Sequence, residues 1–168
     1  MLNKKKNNKG FTLVELLVVI AIIGILAVVA VPALFKNINK AKVADVESDY
    51  SAIKSAVLSY YTDNNTMPIS DTSGTSLKKW NEKLVDYMDS VPTDSAIDGK
   101  YSIVKSGDKL ALKITGAKAN KEQMTKLIDD IGTTKVYTGT SDDSIQQAQK
   151  VANGSNDIYL ILVDNTNM

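Results

Sequence analysis

Hydrophobic positions are spread very unevenly along this chain. From Phe11 to Phe35 the sequence reads FTLVELLVVIAIIGILAVVAVPALF, with one charge, Glu15, and one hydroxyl, Thr12. As a helix this run extends about 37 Å at 1.5 Å per residue, and a bilayer core needs about 20 apolar residues. The run is therefore long enough to cross a membrane. Beyond it the pattern becomes periodic. Val43, Val46, Tyr50, Ile53, Val57 and Tyr60 recur every three or four residues, which is the apolar stripe of an amphipathic helix. Lys40, Asp45, Glu47, Ser48, Lys54 and Ser55 mark its polar face. The spacing predicts one helix that continues past Pro32 and stops near Asp63-Asn64-Asn65, with Pro68 beyond.

After a polar, turn-rich linker at Ile69–Thr75, the pattern predicts a short helix at Ser76–Met88. Ser76 would cap it, and Leu77, Trp80, Leu84, Tyr87 and Met88 would share a face. Lys100–Lys105 and Lys109–Thr115 alternate cleanly around Ser106-Gly107-Asp108. They read as a hairpin with Tyr101, Ile103, Leu110, Leu112 and Ile114 inward. Asn120–Ile131 reads as a helix on Met124, Leu127, Ile128 and Ile131. Thr134–Thr138 reads as a short strand and Asp157–Val163 as a strong one, while Ser144–Ala152 fits either helix or loop. This order predicts an α+β fold: a long kinked N-terminal helix with a small antiparallel sheet packed on its C-terminal half.

Charge sets the orientation. Lys4, Lys5, Lys6 and Lys9 precede the apolar run, and such a flank stays on the cytoplasmic side, so the chain from Lys36 on faces outward. Two ordinary readings fit: a secretory signal peptide cut near Val28-Val29-Ala30, or a plain anchor. Neither has a use for Glu15. A carboxylate at the centre of a membrane helix costs roughly 2.5–3.5 kcal/mol on insertion scales, less near the end, and it needs a partner. The run itself contains no lysine. The nearest positive charge is Lys9, or a new amino terminus made between Gly10 and Phe11.

Lys9-Gly10-Phe11-Thr12-Leu13-Val14-Glu15, running through Gly24 to Pro32, resembles the N-terminus of a type IV pilin. The resemblance rests on a short basic leader, a Gly|Phe junction, Glu at the fifth position after it, and an uncharged run ending near Pro. With no Arg and abundant Lys and Asn, the whole resembles a Gram-positive, clostridial-type major pilin. The resemblance implies a pilin fold with a leader at 1–10, a transmembrane and polymerisation helix at 11–35, its amphipathic continuation at 36–64 and a head at 65–168. It implies that a prepilin peptidase cuts after Gly10 and that Phe11 becomes N-methylated. Glu15 would pair with the Phe11 amine of a neighbouring subunit. Pro32 cannot donate to the Val28 carbonyl, so Gly24 and Pro32 mark a kink, and the family implies that the stretch between them can lose helicity in the filament. The implied partners are further copies of the chain, the peptidase, inner assembly-platform proteins and, before assembly, the membrane. The implied function is the structural subunit of an extracellular pilus serving adhesion, surface motility or biofilm formation. Its rivals are a pseudopilin of a type II secretion or DNA-uptake machine and an anchored surface module that never polymerises.

Composition narrows the chemistry. The 168 residues include no Cys and no His, and all 20 basic residues are Lys. That excludes disulfides, thiolate zinc sites, Cys nucleophiles and imidazole proton transfer. A net charge of +1 offers no basic footprint for nucleic acid, and removing four leader lysines leaves 16 Lys against 19 acidic residues. No catalytic constellation, cofactor or metal is expected. Asp129-Asp130 and Asp142-Asp143 lack the ligand spacing of a calcium loop and read as solvated turns. Ser-Lys pairs have no accompanying oxyanion motif. Trp80 and the seven Tyr read as core and subunit contacts, and Asn64-Asn65-Thr66 and Asn153-Gly154-Ser155 are weak sequons. Where many Gram-negative pilins clamp their C-terminal region with a disulfide, this chain must rely on hydrogen bonds and packing.

Overall fold

The computed structural model describes residues 10–68, 77–106, 109–139, 146–147 and 157–164. The chain divides into two compact units, Met1–Ile38 and Asn39–Met168. The longest element, α1 (Leu13–Asn64), runs uninterrupted through Gly24 and Pro32. In the first unit, every large apolar side chain from Phe11 to Phe35 is exposed. In the second, the buried residues of α1 are Val43, Val46, Tyr50, Ile53, Ala56 and Val57, the stripe expected from the sequence plus one alanine. The helix ends where the sequence suggested. Asn65 takes a left-handed φ of 53°, its N–H donates to the Tyr61 carbonyl at 2.8 Å, and Asn is the residue other than Gly that adopts this cap readily.

Short helix α2 (Leu77–Leu84) continues into a single 3-10 turn at Val85–Tyr87, so the helix expected to reach Met88 tightens early. Trp80 and Leu84 are fully buried. The hairpin forms as read, from β1 (Lys100–Ser106) and β2 (Lys109–Thr115), with Lys100 opposite Thr115 and Ser106 opposite Lys109. Tyr101, Ile103, Leu110, Leu112 and Ile114 are all buried. Gly99 enters β1 at φ +88°, and a Cβ there would lie 2.7 Å from the Thr115 carbonyl oxygen, so only glycine fits.

Helix α3 (Lys121–Ile131) opens with a capping box. The Gln123 N–H donates to Asn120 Oδ1, and the Asn120 N–H donates to Gln123 Oε1, both at 2.9 Å. Strand β3 occupies Val136–Gly139, two residues later than its apolar pattern suggested. Gln146–Gln147 forms β4 and pairs with Tyr137 and Thr138, so this part of 144–152 is strand, neither the helix nor the loop that the sequence left open. The linker at 69–75, the proposed Ser76 cap, Gly107-Asp108, Asp142-Asp143 and the Asn153 sequon lie outside the described residues.

The sheet order is β1-β2-β5-β3-β4, and all of its pairings are antiparallel. β5 (Asp157–Asp164) is the central strand. Ile158 to Leu162 are buried without alternation, the signature of a strand covered on both faces. Its inner residues join the α1 stripe, Trp80, Met124, Leu127 and Ile128 in one core. Tyr159, Ile161 and Ala111 form a second cluster on the opposite face. Beside it Lys113 pairs with Asp157 at 3.0 Å and lies 5.4 Å from the Tyr159 ring centre. The register of β2 on β5 shifts between Leu110 and Ala111, which face Val163 and Ile161.

No disulfide holds the last described strand. It is flanked on both sides by hydrogen-bonded neighbours and tied to α1. Beside the register shift, the buried Tyr50 hydroxyl donates to the Ile161 carbonyl at 2.6 Å, joining residues 111 positions apart. Removing one partner of a buried hydrogen bond costs about 1–3 kcal/mol. Tyr50→Phe should therefore lower the urea midpoint of head unfolding by an amount equivalent to about 1–2 kcal/mol, with the denaturant slope unchanged. An unaltered midpoint would show that this bond does not hold helix and sheet together.

Candidate functional site

Residues that the sequence marked as functional gather at the start of α1. Gly10 and Phe11 precede the helix, and Phe11 is 92% exposed. Thr12 caps the first turn. The Glu15 N–H donates to Thr12 Oγ1 at 3.2 Å. In return Glu15 Oε2 accepts from the Thr12 N–H at 2.9 Å and from the Thr12 hydroxyl at 2.7 Å. This is a reciprocal capping box of the Thr-x-x-Glu type. It gives the one carboxylate of the apolar run two donors from its own subunit, which reduces the penalty of carrying it into an apolar medium. In the sequence Thr12 stands out only as the one hydroxyl of the apolar run. Its spacing to Glu15, just ahead of an apolar run, was the signal that could have revealed the cap. Gly24 lies mid-helix, where an added Cβ would meet nothing within 4 Å.

A second polar constellation joins α1 to α3 in the head. Asn39 donates to Glu122 and accepts from Gln123, both at 3.3 Å. Farther along α1, Glu47 is pushed up to about 7, first by burial and then by the hydrogen bond and charge of the Asp130 carboxyl, with Lys126 opposing. Asp130 is held below the usual carboxylate range by hydrogen bonds from Lys126 and Glu47, and it pairs with Lys126 one helical turn away. Also on α1, Asp49 accepts from the buried Tyr101 hydroxyl at 3.0 Å. Burial raises Asp49 despite that bond. Asp129 and Asp130 are exposed, as the sequence suggested, but they stand in α3 rather than in a turn, and Asp130 is engaged with Lys126 and Glu47. A cavity of about 550 Å³ opens between these helices, lined by Asn39, Lys40, Lys121 to Gln123, Thr125, Lys126, Asp129 and Asp130. Among the described residues, no group of three or more acidic side chains is placed to hold a metal.

Comparison with known proteins supplies the family. Residues 5–31 match the prokaryotic N-terminal methylation motif, and residues 37–119 match the family described as PilW, C-terminal. The type IV major alpha-pilin of Moraxella bovis is 36% identical over 140 residues, 81% of this chain and 87% of that one. The chain belongs to the type IV pilin family. A solved structure of the major type IV pilin PilA1 from Clostridium difficile superimposes on this pilin with a TM-score of 0.63 and 43% identity. The match covers 77% of this chain and 99% of that one. A type II secretion system core protein G from Klebsiella michiganensis is 43% identical over 68 residues, 40% of this pilin. The pilin spans about half the length of that relative, 48%.

The Glu47–Asp130 contact gives a testable pH dependence. Glu47 has an ordinary value of 4.5 in the unfolded chain and about 7 when folded. The native state therefore binds more protons between those values, and its stability falls as pH rises through them. Asp130 shifts the opposite way and offsets part of this. Glu47→Gln keeps a hydrogen-bond partner for Asp130 and removes the titration. It should raise the urea midpoint above pH 7 and leave it nearly unchanged near pH 4.5. Equal changes at both pH values would rule out titration of Glu47 as the cause.

Proposed function

We propose that this pilin is the structural subunit of an extracellular pilus, assembled from a membrane-inserted precursor. The observation that carries the reading is an apolar helix surface left uncovered from Phe11 to Phe35, with a single carboxylate near its start. Monomeric soluble proteins rarely expose apolar patches beyond a few hundred Å². Such a surface needs lipid first and copies of itself later. Relative to exposure in water, each large side chain kept covered contributes roughly 1.5–3 kcal/mol, so lipid and then the filament core hold this helix out of water by tens of kcal/mol per subunit, while the step from lipid to filament gains by packing rather than by leaving water.

In this reading a prepilin peptidase cuts between Gly10 and Phe11, and Phe11 becomes N-methylated. The new Phe11 amine of one subunit meets Glu15 of a neighbour, exchanging the carboxylate's internal Thr12 hydrogen bonds for an ion pair in an apolar medium. Residues between Gly24 and Pro32 are the stretch that loosens as subunits pack. Pro32 supports this because it gives the Val28 carbonyl no backbone donor. The likeness to the Clostridium difficile major pilin supports a major subunit from a Gram-positive cell, with platform proteins driving assembly and the filament serving adhesion, motility or biofilm formation. The match to core protein G supports the second reading, a secretion pseudopilin, and abundant surface filaments on wild-type cells would decide against it.

Glu15→Val tests the assembly role. Leader removal should proceed normally on an immunoblot of cell membranes, while filaments counted by electron microscopy should fall at least tenfold, which corresponds to about 1.4 kcal/mol. Filaments at the normal yield would contradict the role given to Glu15.

A further inference from the structure

Helix α3 is held to α1 differently along its length. At its start Asn39 of α1 bonds to Glu122 and Gln123. In its middle Met124, Leu127 and Ile128 share the core with the α1 stripe. Near its end the Glu47 carboxyl of α1 meets the Asp130 carboxyl in a hydrogen bond. An ionised carboxylate accepts and cannot donate, so this contact exists only while one of the two groups carries a proton.

The surroundings decide which one. Asp130 lines the cavity between the helices and pairs with Lys126, which also lines it. Glu47 is not among the lining residues, and its Oε1 is buried and accepts no hydrogen bond from the described residues. A buried oxygen that accepts nothing favours the neutral carboxyl over the charged one, so the proton rests on Glu47, which donates to Asp130. The charged groups that act on Glu47 are Asp130 and Lys126, both on α3. Asp49, two residues along α1, turns instead to Tyr101 of β1. Asp129 also bears on Lys126, so once Glu47 ionises one ammonium answers to three carboxylates.

Asp130 is the last residue but one of α3. Gly132 follows at φ +111°, where an added Cβ would meet nothing within 4 Å. The last turn of α3 therefore stands between a buried middle and an unobstructed glycine, with the carboxyl contact as its polar tie to α1. We propose that Glu47 and Asp130 form a proton-held latch that docks the last turn of α3 on α1 and releases it as the surroundings turn alkaline. With the proton gone, two carboxylates face each other across the helices and repel. Exposure of the latch to the pH of the medium rests on the proposed export of the head, which the latch itself does not need.

The test is hydrogen exchange of the full chain in detergent micelles at pH 5.5 and 8.5, read by mass spectrometry and corrected for the intrinsic rate at each pH. Glu47 moves from an ordinary 4.5 to about 7 on folding. After the opposing shift of Asp130, opening at the amides of residues 129–132 should grow about tenfold between the two pH values. That opening should be indifferent to 1 M urea, because lifting one turn exposes little surface, whereas exchange in β5 should quicken with urea. Glu47→Gln and Asp130→Asn each keep a hydrogen bond without a shared proton, and both should leave the turn as protected at pH 8.5 as at pH 5.5. A contact that served packing alone would instead loosen the turn at both pH values in either variant, and that result would overturn the proposal. Equal opening of the wild-type turn at the two pH values would also overturn it. So would a pH dependence that survives both substitutions, or an opening that rises with urea as steeply as that of β5, which would make the turn part of global unfolding.

Discussion

The structure depends on one imbalance: α1 is a single helix with two different solvents. Its first half, from Leu13 to Phe35, exposes its large apolar side chains all round. Its second half buries only a stripe. A helix apolar on every side cannot rest in water, so the first half demands a hydrocarbon or protein environment that the described residues do not supply. The second half completes its own core. The boundary falls at the first lysines within α1, Lys36 and Lys40.

In the head, the sheet closes on that stripe without covalent help. The continuous apolar strand β5 lies between β2 and β3, so its backbone groups are paired on both sides. Tyr50 anchors it to the helix from below. A pilin without cysteine therefore secures this strand by placing it at the centre of the sheet, where fraying requires breaking two ladders. Polar contacts do the finer positioning of α3, through Asn39, Gln123, Glu47 and Asp130.

Elements governed by local periodicity were legible in the sequence. The α1 stripe, the β1–β2 hairpin and the face of α3 all followed from spacing, and Asn65 and Pro68 marked the helix end. Contacts between distant segments were not legible. Nothing local in the sequence pairs Glu47 with Asp130 or Asn39 with Gln123, because these residues meet only after α3 docks. Nor did the pattern show that β5 is central, although its unbroken apolar run was consistent with burial on both faces. β3 begins two residues late, because Thr134 and Lys135 remain in the turn after Gly132, whose carbonyl accepts from the Lys135 N–H at 3.0 Å. At the N-terminus the Gly10-Phe11 junction and Glu15 were legible as a motif. The Thr12 cap was legible in principle, since its spacing to Glu15 is purely local.

In the proposed reading, the apolar half of α1 is a polymerisation surface that lipid covers until the subunit is processed and assembled. There, removal of the leader would take away four lysines and create the Phe11 amine proposed to pair with Glu15. The most direct measurement is the mass of the N-terminal peptide of the mature chain from cells. Cleavage after Gly10 followed by N-methylation requires a peptide that begins at Phe11 and is heavier by one CH2, since the methyl group replaces a hydrogen. A mature chain beginning at Val31, or one still carrying Met1, would contradict it.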